Sequence, residues 1–248
     1  MSVISAKNLD VGYNSVIVKN ISFSLQGGEI LTLIGPNGCG KSTILKTLAG
    51  IIKKKGGSVY IEDTDADAMS AAQKAKKLSV MLTGGIKADM MTCREVIETG
   101  RYPHTGYFGM LTDADKAAVN EASELAHVTE LYNKYFGEIS DGQRRRVMLA
   151  RAICQQSKIL ILDEPTSYLD LQYKVEFAEI IQRLAREKGA AVLMSMHETD
   201  MAREISDYVM CVKGGAVTDY GTAQDVLEGE TIKKLFDISE EMFNKYFK

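Results

Sequence analysis

The sequence has little of what marks several specialised classes of protein. It contains 4 cysteines, 3 histidines, 3 prolines and no tryptophan among 248 residues. No two cysteines form a C-x-x-C pair and the histidines are scattered, so the sequence indicates neither a zinc site nor a disulfide framework. We expect four free thiols in a reducing compartment.

Long apolar runs and an excess of basic charge are also missing. The two longest stretches without a charged residue, 30–40 and 102–112, have 11 residues each, whereas a helix that spans a bilayer needs about 20 apolar residues. The N-terminus has no apolar signal-peptide core. The 33 acidic and 30 basic side chains give a net charge of −3, unlike a nucleic-acid-binding protein. We expect a soluble cytoplasmic protein that binds no nucleic acid.

Short apolar runs alternate with amphipathic stretches along the chain. The runs are typical of strands buried on both faces of a parallel sheet, and they lie at 30–34, 78–82, 159–162 and 191–194. The stretch 173–188 predicts an amphipathic helix that stops at Gly189. Together these patterns predict an α/β fold with a mostly parallel sheet.

Two regions depart from this alternation. The first 30 residues and 58–62 predict a small antiparallel β layer. The segment from about 86 to 156 has helical patterning, including a capping box at Thr112 and Asp115, and no convincing strand. We therefore predict a single domain over 1–248, with a helical subdomain at about 86–156 and a short helical tail at about 224–248.

A G-x-x-x-x-G-K-[ST] motif directly follows the first apolar run. Its residues are Gly35, Pro36, Asn37, Gly38, Cys39, Gly40, Lys41, Ser42 and Thr43. The glycines let backbone N–H groups curl around a phosphate, and the helix predicted next adds positive potential at its N-terminus. Lys41 can reach the β- and γ-phosphates of a nucleotide, and the Ser42 hydroxyl can ligate Mg²⁺. That helix is predicted to place Ile44, Leu48 and Ile51 on one face.

Two acidic residues follow the apolar run at 159–162. Metal-dependent phosphoryl transfer needs carboxylates at the end of a strand beside the phosphate loop. Asp163 is predicted to hold Mg²⁺ through the water shell of the ion, which leaves Glu164 free to polarise the attacking water as a general base.

A third motif, 139–143, lies between these two. Ser140 and Gln143 form a capping box that opens a helix. Gly142 in its first turn exposes backbone N–H groups, which favours an anion there.

Along the chain, the phosphate loop at 35–43 is followed by the motif at 139–143, the acidic pair at 163–164 and Ser167-Tyr168-Leu169-Asp170. With its motifs in this order, the sequence resembles the ATP-binding subunits of ABC transporters over nearly the whole chain. The resemblance implies an ABC ATPase fold and an ATPase that uses ATP and Mg²⁺. It implies a catalytic set of Glu164, His197 and Lys41, in which His197 is the switch histidine. It further implies that Tyr13 stacks on adenine and that Ser140, Gly142 and Gln143 contact nucleotide.

Two further segments, Gly100-Arg101-Tyr102-Pro103-His104 and Gly106-Tyr107-Phe108-Gly109, resemble the branch that imports iron–siderophore complexes, haem or cobalamin. That branch implies a head-to-tail pair of copies, in which the signature motif of each covers the phosphate loop of the other. It also implies two separate membrane permease subunits, which hold the ATPase at the inner face of the cell membrane. A substrate-binding protein outside the cytoplasm is an indirect partner.

One position departs from the family pattern. The strand at 78–83 normally ends in a glutamine that touches Mg²⁺ and the attacking water, and here it ends in Thr83, followed by Gly84 and Gly85. We expect Ser42 and Asp163 to hold Mg²⁺ chiefly, and the loop to be rebuilt around the paired glycines.

Two alternatives remain beside an importer ATPase. A soluble ABC-type ATPase that acts on DNA or ribosomes commonly carries a long coiled-coil insertion or a second cassette, and neither is present. A nucleotide-gated module with little hydrolysis is disfavoured by Glu164 and His197 and favoured by Thr83.

Overall fold

The structure is a computed structural model that describes residues 2–84, 86–106 and 109–246. Its strands are β1 (Ser2–Gly12), β2 (Val16–Gln26), β3 (Ile30–Ile34), β4 (Gly56–Ile61), β5 (Thr64–Asp65), β6 (Leu78–Met81), β7 (Ile159–Asp163), β8 (Ala191–Ser195), β9 (Tyr208–Lys213) and β10 (Ala216–Thr222). Its helices are α1 (Lys41–Leu48), α2 (Ala71–Lys77), α3 (Cys93–Glu98), α4 (Asp113–Leu125), α5 (Asp141–Cys154), α6 (Leu171–Arg186), α7 (Thr199–Ile205), α8 (Ala223–Val226), α9 (Gly229–Phe236) and α10 (Glu240–Tyr246).

The strands form one sheet in the order β5-β4-β1-β2-β10-β9-β3-β8-β7-β6. The five strands from β9 to β6 run parallel to one another, whereas β5, β4, β1 and β2 pair antiparallel. A parallel pairing of Ala216 with Lys19 joins the two parts. The α/β fold with an N-terminal antiparallel layer is therefore confirmed.

The parallel strands account for the apolar runs. Every residue of β3, β7 and β8 is buried, because helices cover both faces of the sheet. Alternate side chains enter two cores: Leu31 and Ile161 pack on the side of α1, while Ile30 and Leu160 pack on the side of α5 and α6. The four strands predicted from apolar runs are confirmed as β3, β6, β7 and β8.

The helix after the phosphate loop is shorter than its apolar pattern suggests. Ile44 and Leu48 are buried on one face of α1, as predicted. Ile51 lies beyond the end of the helix and is 55% exposed, so that part of the prediction was wrong. Gly50, with φ +73, is left-handed, a conformation that ends a helix and that glycine adopts without strain.

The segment after β6 is mainly helical. Each of α3, α4 and α5 begins with a capping box, formed at α4 by Thr112 and Asp115 as predicted. The division into a core and a helical subdomain at about 86–156 stays a prediction. Among the described residues, no helix is both long and apolar enough to cross a bilayer.

The C-terminal part contains an element that the sequence patterns did not predict. Strands β9 and β10 form an antiparallel hairpin that adds β9 to the parallel sheet beside β3. Short helices α8 to α10 then occupy 223–246, where a helical tail was predicted. Phe247 and Lys248 lie outside the described residues.

Candidate functional site

The phosphate loop connects β3 to α1 at the carboxyl end of the parallel strands. At two of its positions, close contacts leave no space for a Cβ atom, so only glycine fits. A Cβ on Gly35 would lie 2.1 Å from the carbonyl oxygen of Val212, and one on Gly40 would lie 2.6 Å from Cγ2 of Val18. Gly40 also has φ +110, a conformation that L side chains rarely adopt. The loop is therefore seated tightly between β9 and β2.

The Lys41 side chain folds back beneath its own loop. Its Nζ donates hydrogen bonds to the carbonyl oxygens of Gly35 at 2.7 Å and Pro36 at 3.1 Å. The residue is 4% exposed, and a buried ammonium needs such acceptors because it has left water. These bonds hold the cation within the loop, where a phosphate would compete for it.

Ser42 and Asp163 meet where α1 begins and β7 ends. The Ser42 Oγ donates to Oδ1 of Asp163 at 2.9 Å, and Asp163 is fully buried. A hydroxyl and a carboxylate are hard oxygen ligands of the kind Mg²⁺ prefers, and in nucleotide sites the ion takes few protein ligands and completes its shell with phosphate oxygens and water. No group of three or more His, Cys, Asp or Glu able to hold a metal occurs among the described residues. The pair thus fits Mg²⁺ brought with a nucleotide rather than a metal caged by protein.

Glu164 is held in an uncommon backbone conformation next to this pair. Its φ is +48, and its backbone N–H donates to the Ser195 hydroxyl at 2.9 Å. Its carboxylate Oε1 lies 2.9 Å from Nε2 of His197. Both side chains are partly exposed, so Glu164 can reach a water molecule while His197 fixes its orientation.

Two residues of the site were not assigned their observed contacts from the sequence. The Ser195 hydroxyl, at the end of β8, also donates to Oδ1 of Asp163 at 2.8 Å, so it joins both acidic residues. The Thr83 hydroxyl donates to Oδ2 of Asp163 at 2.5 Å. A polar residue that ends the apolar run at 191–194 was a visible signal for Ser195. Gly84 has φ +105, and Gly85 lies outside the described residues.

The signature motif lies apart from this cluster. Ser140 and Gln143 exchange hydrogen bonds in a capping box at the start of α5, as predicted. A Cβ on Gly142 would lie 3.2 Å from the carbonyl oxygen of Tyr168, so the helix start packs on the 167–170 segment of the same chain. Within the described part of the chain, no hydrogen bond joins Ser140, Gly142 or Gln143 to the phosphate loop.

Tyr13 stands in the turn between β1 and β2. It is 52% exposed, and no described hydrogen bond fixes its hydroxyl. The start of β2 contacts the phosphate loop through Val18 and Gly40. A flat, exposed ring on a turn next to a phosphate loop is suited to stacking on a base.

The 100–104 segment connects helices α4 and α5 through hydrogen bonds. Arg101 is buried, and its Nε donates to Oδ1 of Asp115 at 2.8 Å while Nη1 donates to the Cys154 carbonyl at 2.7 Å. Hydrogen bonds from the side chain and backbone of Thr112, and then from Arg101, lower the Asp115 pKa to about 2. The segment thereby ties the start of α4 to the end of α5. Tyr107 and Phe108 of the second segment lie outside the described residues.

Comparisons with known proteins agree with this geometry. The model of the ABC transporter family matches residues 18–167. An uncharacterised ABC transporter ATP-binding protein of Methanocaldococcus jannaschii is 38% identical over 244 residues, which is 98% of this chain and 84% of that protein. The iron(3+)-hydroxamate import ATP-binding protein of Bacillus subtilis is 37% identical over 243 residues, covering 98% of this chain and 90% of that protein.

A solved structure gives the same result at the level of the fold. An inward-facing ABC transporter of the proposed metal-chelate type matches with a TM-score of 0.82 and 25% identity. The match covers 96% of this chain and 90% of that one.

Proposed function

Because the chain belongs to the ABC transporter family and has the ABC ATPase fold, we propose that it is the ATP-hydrolysing subunit of an importer for metal chelates. The observation that carries the hydrolytic part is the contact of Glu164 with His197, beside Asp163 and the phosphate loop. The similarity to an iron(3+)-hydroxamate import protein supports the importer part. Iron–siderophore complexes, haem and cobalamin are the proposed solutes.

In the proposed reaction, the phosphate loop binds the β- and γ-phosphates through its backbone N–H groups and Lys41. Ser42 and Asp163 would hold Mg²⁺, and the ion would supply positive charge beside the phosphate oxygens. Glu164 accepts the proton of the attacking water, and His197 holds the Glu164 carboxylate towards that water. Tyr13 stacks on the adenine ring.

The proposed active unit is a head-to-tail pair of copies. Ser140, Gly142 and Gln143 lie at the start of α5, where the backbone N–H groups of the first helical turn favour an anion. Because no described hydrogen bond takes them to their own phosphate loop, they are free to cover the loop of a second copy. Bound ATP would then hold the two copies together, and hydrolysis would release them.

The proposed location is the inner face of the cell membrane, through contacts with two permease subunits. The helical insert near residues 85–110 is the proposed contact, since its described residues Met90, Tyr102 and Met110 are 86%, 60% and 76% exposed. An extracytoplasmic binding protein would deliver the solute to the permeases.

The hydrolytic part is tested by ATP turnover of the purified protein. Wild type should hydrolyse ATP, and Lys41→Ala should lose both tight binding and turnover because Lys41 contacts the phosphates. Lys53→Ala, at an exposed lysine outside the loop, is the matched control and should behave as wild type. No turnover by the wild-type protein would favour a nucleotide-gated module instead.

The importer part is tested in membranes. With its permeases present, the protein should sediment with membranes, be released by carbonate or high salt, and co-purify with integral membrane proteins. Deletion of the permeases should leave it in the soluble fraction. Membrane association that persists without permeases, or co-purification with ribosomes or DNA, would contradict this proposal.

A further inference from the structure

Three hydroxyl groups from three different elements converge on the buried carboxylate of Asp163. Oδ1 accepts hydrogen bonds from Ser42 Oγ at 2.9 Å and from Ser195 Oγ at 2.8 Å. Oδ2 accepts a hydrogen bond from Thr83 Oγ1 at 2.5 Å. A carboxylate can only accept, so all three hydroxyls donate. Asp163 is therefore fixed on both oxygens.

The three donor hydroxyl groups differ in their other contacts. Ser42 belongs to the phosphate loop and, in the proposed reaction, would turn its hydroxyl to Mg²⁺. Ser195 is shared, because its oxygen also accepts the backbone N–H of Glu164. Thr83 has the one described hydrogen bond to Oδ2. When Ser42 leaves Oδ1, Thr83 and Ser195 still hold one oxygen each, and the plane of the carboxylate stays defined.

The sheet places Thr83 beside Asp163. Strand β6 pairs with β7 in parallel, with Met81 opposite Leu162, so the chain beyond β6 passes the end of β7. Threonine is branched at Cβ and therefore stiff at χ1, which suits it to aim a hydroxyl at a fixed point. The 2.5 Å distance is typical of a short, charge-assisted O–H···O⁻ bond.

We propose that Thr83 is a positioning residue, which orients Asp163 for Mg²⁺ by bonding the carboxylate. The inference rests on the proposed function, since it takes Asp163 as the metal-holding carboxylate. A glutamine that touches the ion and the attacking water would act on the reacting groups directly. Thr83 acts one step away, because its hydroxyl is already committed to Asp163.

The substitution Thr83→Val tests this proposal, because valine keeps the branched shape and removes the donor. Mn²⁺ binding is followed by electron paramagnetic resonance with ADP present, and ADP affinity is measured separately without a divalent ion. Loss of a group that orients a metal ligand typically costs about 10–100-fold. We expect Mn²⁺ affinity to fall by about tenfold and metal-free ADP affinity to change less than about twofold.

Thr83→Ser supplies the rescue variant, since it restores the hydroxyl, and it should recover most of the Mn²⁺ affinity. Thr32→Val is the matched control. It removes another buried threonine hydroxyl, which bonds Ser206 at 2.6 Å, and it should leave Mn²⁺ affinity unchanged.

Three outcomes would overturn the proposal. They are wild-type Mn²⁺ affinity in Thr83→Val, no recovery in Thr83→Ser, or an equal loss of metal-free ADP affinity. The last outcome would indicate a general structural role for Thr83. Failure of the proposed function would look different: the wild-type protein would not turn over ATP, while the Mn²⁺ measurement would still report on Thr83.

Discussion

At the scale of single residues, the four cysteines differ sharply in their access to solvent. Cys39 lies in the phosphate loop and is partly exposed, whereas Cys93, Cys154 and Cys211 are fully buried. Burial raises the pKa of Cys154 and Cys211 to about 12 and also raises that of Cys93. Because the thiolate is the reactive form, these three should resist modification.

We therefore predict that a maleimide labels one thiol per folded chain and blocks ATP hydrolysis. The adduct on Cys39 would fill the space that phosphates need, and MgATP should protect against it. Cys39→Ala should remain active and become resistant, as measured by ATPase rate and mass spectrometry. Unchanged inhibition of Cys39→Ala would place the sensitive thiol elsewhere.

At the scale of elements, the start of α4 depends on the buried Asp115 carboxylate, which accepts hydrogen bonds from the side chain and backbone of Thr112 and then from Arg101. The Asp115 pKa falls from its ordinary 3.8 to about 2 in the folded protein, so the folded state favours the charged carboxylate. That stabilisation is complete above about pH 4, where the unfolded chain is also ionised, and it is lost as the pH falls through about 2. A shift of this size corresponds to about 2 kcal/mol.

Asp115→Asn should therefore lower the free energy of unfolding by about 2 kcal/mol at pH 7 and by about 1 kcal/mol at pH 3. Urea unfolding at the two pH values measures this. Asp113→Asn is the matched control, because Asp113 lies in the same first turn with a fully exposed side chain, and it should change stability little. An equal effect of Asp115→Asn at both pH values would argue against a role for its charge.

The strands differ in how well they could be predicted from the sequence. Strands β3, β6, β7 and β8 were predictable because burial on both faces leaves an apolar run. Strand β10 could not be predicted in this way because it is largely exposed and has no such run, whereas β9 has a buried apolar run at 209–212 that was not among the runs predicted as strands. The adjacent Gly214 and Gly215 were a signal for the turn between β9 and β10, since both have positive φ in the structure, as a type I′ hairpin turn requires.

The residues of the site that lie within one sequence motif were predictable, whereas the contacts between residues on different strands were less so. The phosphate loop and the acidic pair could be read from local sequence alone. The bonds of Thr83 and Ser195 to Asp163 depend on the adjacency of β6, β7 and β8. These strands are far apart in the sequence, so the sequence alone does not reveal which hydroxyl groups bind the Asp163 carboxylate.

At the scale of the whole molecule, a head-to-tail pair predicts complementation between defective copies. Lys41→Ala damages the phosphate loop and Ser140→Arg damages the signature, so each variant alone should be inactive. In a mixed pair, one composite site carries both defects and the other carries none. Mixing the two variants should therefore restore ATP turnover, measured against each variant alone.

The control mixes two proteins: a double variant that carries both Lys41→Ala and Ser140→Arg, and the single variant Lys41→Ala. Both phosphate loops are then defective, and no turnover should return. If mixing the two single variants also restores nothing, each active site would be built within one chain, and the proposed pairing would be wrong.

Glu164→Gln tests the proposed ATP hydrolysis most directly, because it removes the general base and keeps the shape of the side chain. Single-turnover hydrolysis of ATP is measured together with size-exclusion chromatography, with Glu204→Gln at an exposed helix position as the control. We predict that ATP still binds, that hydrolysis slows by about 10²–10⁴-fold, and that an ATP-bound pair of copies accumulates. Hydrolysis by Glu164→Gln at the wild-type rate would show that Glu164 is not the general base.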